Sequence, residues 1–198
     1  MTLHTAPKKG RAWTVPLFLG YAVFAVYLYL VIKVLLLKFS SLDIELLQIQ
    51  WQMLSNDPTS IVERLRYRGN LVPFHEIQNY VSQIRNGQSG HSFVNLVGNI
   101  VAFMPFGLML PLLFAKKAGS VGKVAWLSFL FSLGLETTQL VLSCGTFDVD
   151  DLLLNTVGGI LGYGVYLVLW FVFWRHSSGD RSASSLTYRK KAMEYRAD

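Results

Sequence analysis

The sequence predicts an all-α protein: a bundle of four transmembrane helices with a long outer loop that contains short interfacial helices. Three observations lead there. Hydrophobic residues make up 52% of the 198 positions and charged residues only 15%, well below the share usual in soluble domains. Four apolar runs reach the roughly 20 residues that a helix needs to cross a bilayer. The net charge of +6 is split into patches between those runs, as in cytoplasmic loops, and is not gathered on one face as nucleic-acid binding requires.

The first run, Trp13–Leu37, follows Lys8, Lys9 and Arg11 and so has the charge order of a signal peptide. It is too long for a signal-peptide apolar region and lacks a small-x-small cleavage site, so a retained anchor is expected. The other runs are Phe93–Phe114, Val124–Ser143 and Leu152–Trp174. The expected division is an N-terminus over 1–12, a membrane domain over 13–174 with its outer loop at 38–92, and a tail over 175–198. The tail is rich in Ser and charge, which predicts a mobile end. The single cysteine, Cys144, excludes an intrachain disulfide and reads as a small residue at a helix end.

Loop charges set the expected orientation. Lys8, Lys9 and Arg11 precede the first span, and Lys116, Lys117 and Lys123 lie between the second and third. Arg175, Arg181, Arg189, Lys190, Lys191 and Arg196 follow the fourth. The loop between spans three and four has Asp148, Asp150 and Asp151 and no cation. The positive-inside rule therefore places both termini in the cytoplasm. Trp13, Trp170 and Trp174 then fall at the inner interface. Within the outer loop, "DIELLQIQWQML" (Asp43–Leu54) and "FHEIQNYVSQIR" (Phe74–Arg85) predict surface helices, and "NDP" and "RNGQSG" predict turns.

Polar residues inside spans are costly and point to function. Ser132, Glu136, Gln139 and Ser143 share one helical stripe, and Glu136 lies about 10 Å below the outer end. Asn95 and Asn99 are one turn apart in the second span, where Pro105 interrupts the backbone ladder. Asp151, Asn155, Gly158 and Gly162 share a face of the fourth. Gly158-xxx-Gly162 predicts close approach of a neighbouring helix. The three aspartates sit at a helix N-terminus, where the macrodipole favours negative charge, so at least one, Asp150 or Asp151, is expected to be an N-cap.

Four ordered stretches resemble the VanZ-like family of bacterial membrane proteins: "NLVPFHEI" (Asn70–Ile77), "NLVGNIVAFMPFGLMLPLL" (Asn95–Leu113), "LETTQL" (Leu135–Leu140) and "FDVDDLLLNTVGGILGY" (Phe147–Tyr163). The resemblance runs from about Arg68 to Trp170. It implies a multi-pass envelope protein of the type linked to teicoplanin-type glycopeptide or lipoglycopeptide resistance, with no established reaction. Asn99, Pro105, Glu136, Gln139, Asp148, Asp151, Asn155 and Gly158 correspond to its characteristic positions. Family members often have an arginine just after the glycine of the last loop, where this chain has Thr146. Arg64, Arg66, Arg68, His75 or a bound metal are the candidate replacements for that charge.

Three readings follow. In the first, the polar groups only hold helices together. In the second, Asn99, Glu136, Gln139, Asp148, Asp151, Asn155, Arg68 and His75 form an outward-facing site for an envelope lipid, a glycan or a peptidoglycan precursor. In the third, an enzyme uses Asp148, Asp150 and Asp151 to hold a divalent cation such as Mg²⁺ beside a lipid-linked phosphate, with Glu136 or Asp151 as catalytic carboxylate. No His-x-His, cysteine cluster or phosphate-cradling glycine loop adds to the third. The bilayer is the expected partner in all three.

Overall fold

The computed structural model describes residues 14–37, 44–87 and 89–194. The expected 1–12 terminus, Trp13 and residues 195–198 lie outside the described residues, as does the start of the long loop. The described chain is helical: α1 (Thr14–Leu37), α2 (Ile44–Asn56), α3 (Ser60–Arg68), α4 (His75–Arg85), α5 (Ser89–Leu113), α6 (Ala115–Ala118), α7 (Val121–Leu142) and α8 (Val149–Glu194). Among the described residues, β pairing is limited to one isolated parallel bridge between Asn70 and Asp148.

Four segments are long and apolar enough to cross a membrane: Leu17–Leu36, Ser92–Leu113, Val121–Leu142 and Val149–Val172. They match the four expected spans to within a few residues. Side-chain contacts give their directions. Tyr21 at the start of α1 donates to the Leu113 carbonyl at the end of α5, 3.3 Å away. Gln139 near the end of α7 donates to the Leu35 carbonyl near the end of α1, 2.7 Å away. So α1 and α7 run one way and α5 and α8 the other. One end of the bundle carries the aspartates and is called the acidic end; the other carries Lys116, Lys117 and Lys123 and is called the basic end.

Glycine sets the centre of the bundle. A Cβ on Gly162 would lie 1.9 Å from the Met104 carbonyl oxygen, and one on Gly158 would lie 2.2 Å from that of Ile100. The face expected from Gly158-xxx-Gly162 therefore packs backbone to backbone on α5, as that spacing allows. Gly107 of α5 returns the contact, 1.9 Å from the Gly159 carbonyl oxygen. Gly159 in turn lies under Ser128 of α7. Below these contacts an aromatic stack fills the core: Phe106 lies 5.0 Å from Phe131, 5.9 Å from Phe103 and 6.0 Å from Phe24 between ring centres. Most large apolar side chains of α1 face outward, as expected of a surface that meets lipid.

Pro105 and Pro111 both lie inside α5, which continues through them. Pro105 removes the N–H that would reach the Val101 carbonyl, and one residue further on the Tyr27 hydroxyl of α1 donates to the Ala102 carbonyl at 2.6 Å. α8 runs unbroken from Val149 to Glu194, so residues 175–194 of the expected tail continue the fourth span as helix. No proline lies between them to stop it, and Arg, Lys, Ala, Met and Glu at its end favour helix.

Candidate functional site

The polar cluster forms where α4 and α8 begin. The first-turn N–H groups of α8 lack partners inside the helix. Asp148 caps it: its Oδ1 accepts the Asp150 N–H at 2.8 Å. The same oxygen accepts Asn70 Nδ2 at 2.8 Å. The Asn70 backbone donates to the Phe147 carbonyl at 2.8 Å and accepts the Val149 N–H at 3.0 Å. The segment before α4 is thereby tied to the loop before α8.

α4 has no cap of its own. Phe74 precedes its first residue with φ at 68°, a left-handed conformation that a bulky side chain resists. The acceptor comes from far along the chain. Asp150 Oδ1 accepts the Phe74 N–H at 2.5 Å, and Oδ2 accepts those of Glu76 at 2.8 Å and Ile77 at 3.1 Å. Asp150 is fully buried. A buried carboxylate is costly unless its charge is met. Here three N–H groups and the positive ends of α4 and α8 meet it, with no ion pair among the described residues. None of the candidate replacements for the arginine absent at position 146 forms an ion pair with it among the described residues. Of the candidate replacements, Arg64 turns to Gln50 Oε1 at 2.9 Å and the Val141 carbonyl at 3.4 Å. His75 is exposed, with Nδ1 3.2 Å from Glu76. Arg66 and Arg68 are exposed on α3.

The remaining polar groups gather above α5. Asp151 Oδ1 accepts Asn99 Nδ2 at 2.5 Å. Tyr80 of α4 hydrogen-bonds Asn95, and its phenol is pushed up to about 12, chiefly by burial and then by the charges of Asp151, Asp148 and Glu76. The Asp148 carboxyl is also raised, first by burial. Hydrogen bonds from the Asp150 backbone and Asn70 oppose that rise, and the charges of Asp150 and Glu76 add to it.

The structure thus divides the predicted site. It brings Asn99, Asp148 and Asp151 together. Glu136, buried on α7, reaches up to the same loop and accepts the Asp148 N–H at 2.9 Å through Oε2. Gln139 instead ties down α1. Asn155 donates to Ser132 Oγ at 2.8 Å, between α8 and α7. Ser143 leaves the stripe as the left-handed C-cap of α7, and Ser128 extends it toward the basic end. Among the described residues no group of three His, Cys, Asp or Glu side chains is arranged to hold a metal ion. The bonds of Asp148, Asp150 and Asp151 show why: each carboxylate turns to a different partner. Sequence reasoning missed Tyr80, Glu76 and the role of Asn70. The signal for Asn70 was its place in "NLVPFHEI"; for Tyr80 there was none, since only the tertiary fold brings α4 over α5.

Comparison with known proteins agrees with this architecture. Protein VanZ of Enterococcus faecium is 39% identical over 75 residues, which cover 38% of this chain and 45% of that protein. The match thus spans under half the length of that relative. No solved structure matches. The VanZ/LLP1 family model matches residues 18–173, from α1 through the whole polar cluster to the apolar part of α8. The chain belongs to the VanZ/LLP1 family.

Proposed function

We propose that this VanZ-family membrane protein acts in the bacterial cell envelope and lowers susceptibility to teicoplanin-type glycopeptides. On this reading the acidic end faces outward, both termini are cytoplasmic, and the cluster of Asp148, Asp151, Asn99, Asn95 and Tyr80 engages an envelope lipid or glycan. The observation that carries the reading is the contrast among the aspartates. Asp150 is consumed by the fold, since its carboxylate holds the start of α4. Asp148 is kept in a setting that opposes its charge, chiefly through burial, near Tyr80, whose phenol is raised by burial and then by the charges of Asp151, Asp148 and Glu76. Groups held against their preferred protonation state cluster at functional sites. Hydroxyl, amide and carboxylate groups side by side suit a hydroxyl- and amide-rich ligand such as a glycan head group. His75 and Arg68 stand exposed nearby in sequence, at the α4 start and the α3 end, and are secondary contacts in this reading.

Two measurements test it together. Reporter fusions after Lys117 and near Ser89 should read cytoplasmic and external, respectively. Expression in a glycopeptide-susceptible host should raise the inhibitory concentration of teicoplanin. An external signal at Lys117 would overturn the orientation, and an unchanged inhibitory concentration at confirmed membrane expression would overturn the resistance role.

A further inference from the structure

The basic end carries a feature that does not depend on the acidic cluster. A groove of about 270 Å³ lies between the end of α5 and the start of α7, lined by Leu110, Phe114, Lys117, Lys123, Trp126 and Leu127. Its walls are apolar and aromatic, with two ammonium groups among them. From Phe114 to Leu135 the chain has no acidic residue. Lys117 and Lys123 are exposed and form no ion pair among the described residues. The groove lies where the segments Ser92–Leu113 and Val121–Leu142 end, at the level where a membrane's head groups begin. Trp126 is 59% exposed there, the amphipathic setting that indoles favour.

The groove is also held in shape. The Phe114 ring packs 5.5 Å from Tyr21 and 6.0 Å from Phe24. Between the two lysines in sequence, the Gly119 carbonyl accepts the Tyr163 hydroxyl at 3.3 Å. A preformed site loses less freedom on binding.

We propose that this groove binds an anionic phospholipid, with the phosphate between Lys117 and Lys123 and the first part of an acyl chain against Leu110, Phe114 and Leu127. Charge and shape both favour that occupant. The cations need an anion, and the apolar walls need a chain attached to it. Lys116 gives an internal control. It is exposed and adjacent to Lys117 in α6, yet does not line the groove.

The test is native mass spectrometry of the full chain in detergent, titrated with phosphatidylglycerol and, separately, phosphatidylcholine. A lysine near an anionic surface contributes a roughly five-fold change in affinity, so Lys117→Gln should weaken phosphatidylglycerol about five-fold and the double change with Lys123→Gln about thirty-fold. Lys116→Gln should weaken it less than about two-fold, because its charge acts only through screened solvent. All three substitutions are on the surface, and unchanged thermal melting confirms the fold. Equal weakening by Lys116→Gln and Lys117→Gln would overturn the proposal in favour of unlocalised charge. Equal retention of the two lipids by the unmodified protein would also overturn it.

Discussion

Asp150→Ala is expected to release α4 from the bundle. The carboxylate accepts three backbone N–H groups at the start of that helix, in a position closed to solvent. Each buried donor left without an acceptor costs about 1–3 kcal/mol. Allowing for water entering the gap, the loss should be on the order of 3–5 kcal/mol. Phe74 would no longer be held in its left-handed conformation, so the strain there would be relieved by unwinding the first turn. Asp150→Asn should be intermediate. Its amide oxygen can still accept one N–H, but its nitrogen would face the remaining donors. Hydrogen exchange checks this. Amides 74–77 should lose protection in Asp150→Ala, while those of α5 and α8 keep theirs. Protection unchanged at 74–77 would mean that α4 is held by its contacts with α5 alone.

Gly162→Ala is expected to unfold the bundle more than a single methyl usually does. Its Cβ would lie 1.9 Å from the Met104 carbonyl oxygen and 2.9 Å from the Leu108 nitrogen, both backbone atoms that cannot turn aside. α5 and α8 would have to separate by roughly 1.5 Å to restore an ordinary carbon–oxygen contact. Overpacking costs 1–3 kcal/mol in cores that can adjust, and a backbone-to-backbone clash belongs at about 3 kcal/mol or above. Gly107→Ala, 1.9 Å from the Gly159 oxygen, should behave alike. Gly164→Ala meets nothing within 4 Å and should be neutral or stabilising by up to about 1 kcal/mol. Melting in detergent gives the comparison. A Gly162→Ala protein as stable as Gly164→Ala would mean that α5 and α8 do not meet at this face.

These two sites show how much the sequence could carry. The spans were legible because each is a continuous apolar run, and the glycine face was legible because its spacing is local to one helix. The partner of that face was not, and neither was Gly107, a lone glycine beside Pro105 whose role exists only once α8 crosses it. The aspartates were legible as caps in kind, but not in target. Asp150 caps a helix elsewhere in the chain, and no local pattern records such a pairing. One indirect sign existed. α4 begins after "LVPF", without Ser, Thr, Asp or Asn just before it, so its first N–H groups needed an acceptor from outside. Gln139 and Asn155 were placed near the site by periodicity, which gives the face of a helix but not which neighbour that face meets. The helix in the tail was not legible because its Ser- and charge-rich composition carries no apolar periodicity, whereas α8 continues straight into it.

Asp150 serves the fold, whereas Asp148 and Asp151 are read as holding charge for function, and Asp148→Asn tests that division most directly. The amide keeps an oxygen to accept Asn70 and the Asp150 N–H, and removes the charge. Burial raises the Asp148 pKa in the folded state. A raised carboxyl favours folding below its unfolded pKa of about 3.9, and that contribution is lost as pH rises through the folded value. At neutral pH the ionised form therefore opposes folding. Asp148→Asn should melt at the same temperature as the unmodified protein or higher at pH 7, with the advantage shrinking toward pH ~4. The measurement is teicoplanin susceptibility of a host carrying Asp148→Asn, with Asp151→Asn in parallel, normalised to membrane abundance. Resistance should be lost at normal abundance and undiminished stability. Full resistance in both variants at equal abundance would contradict it.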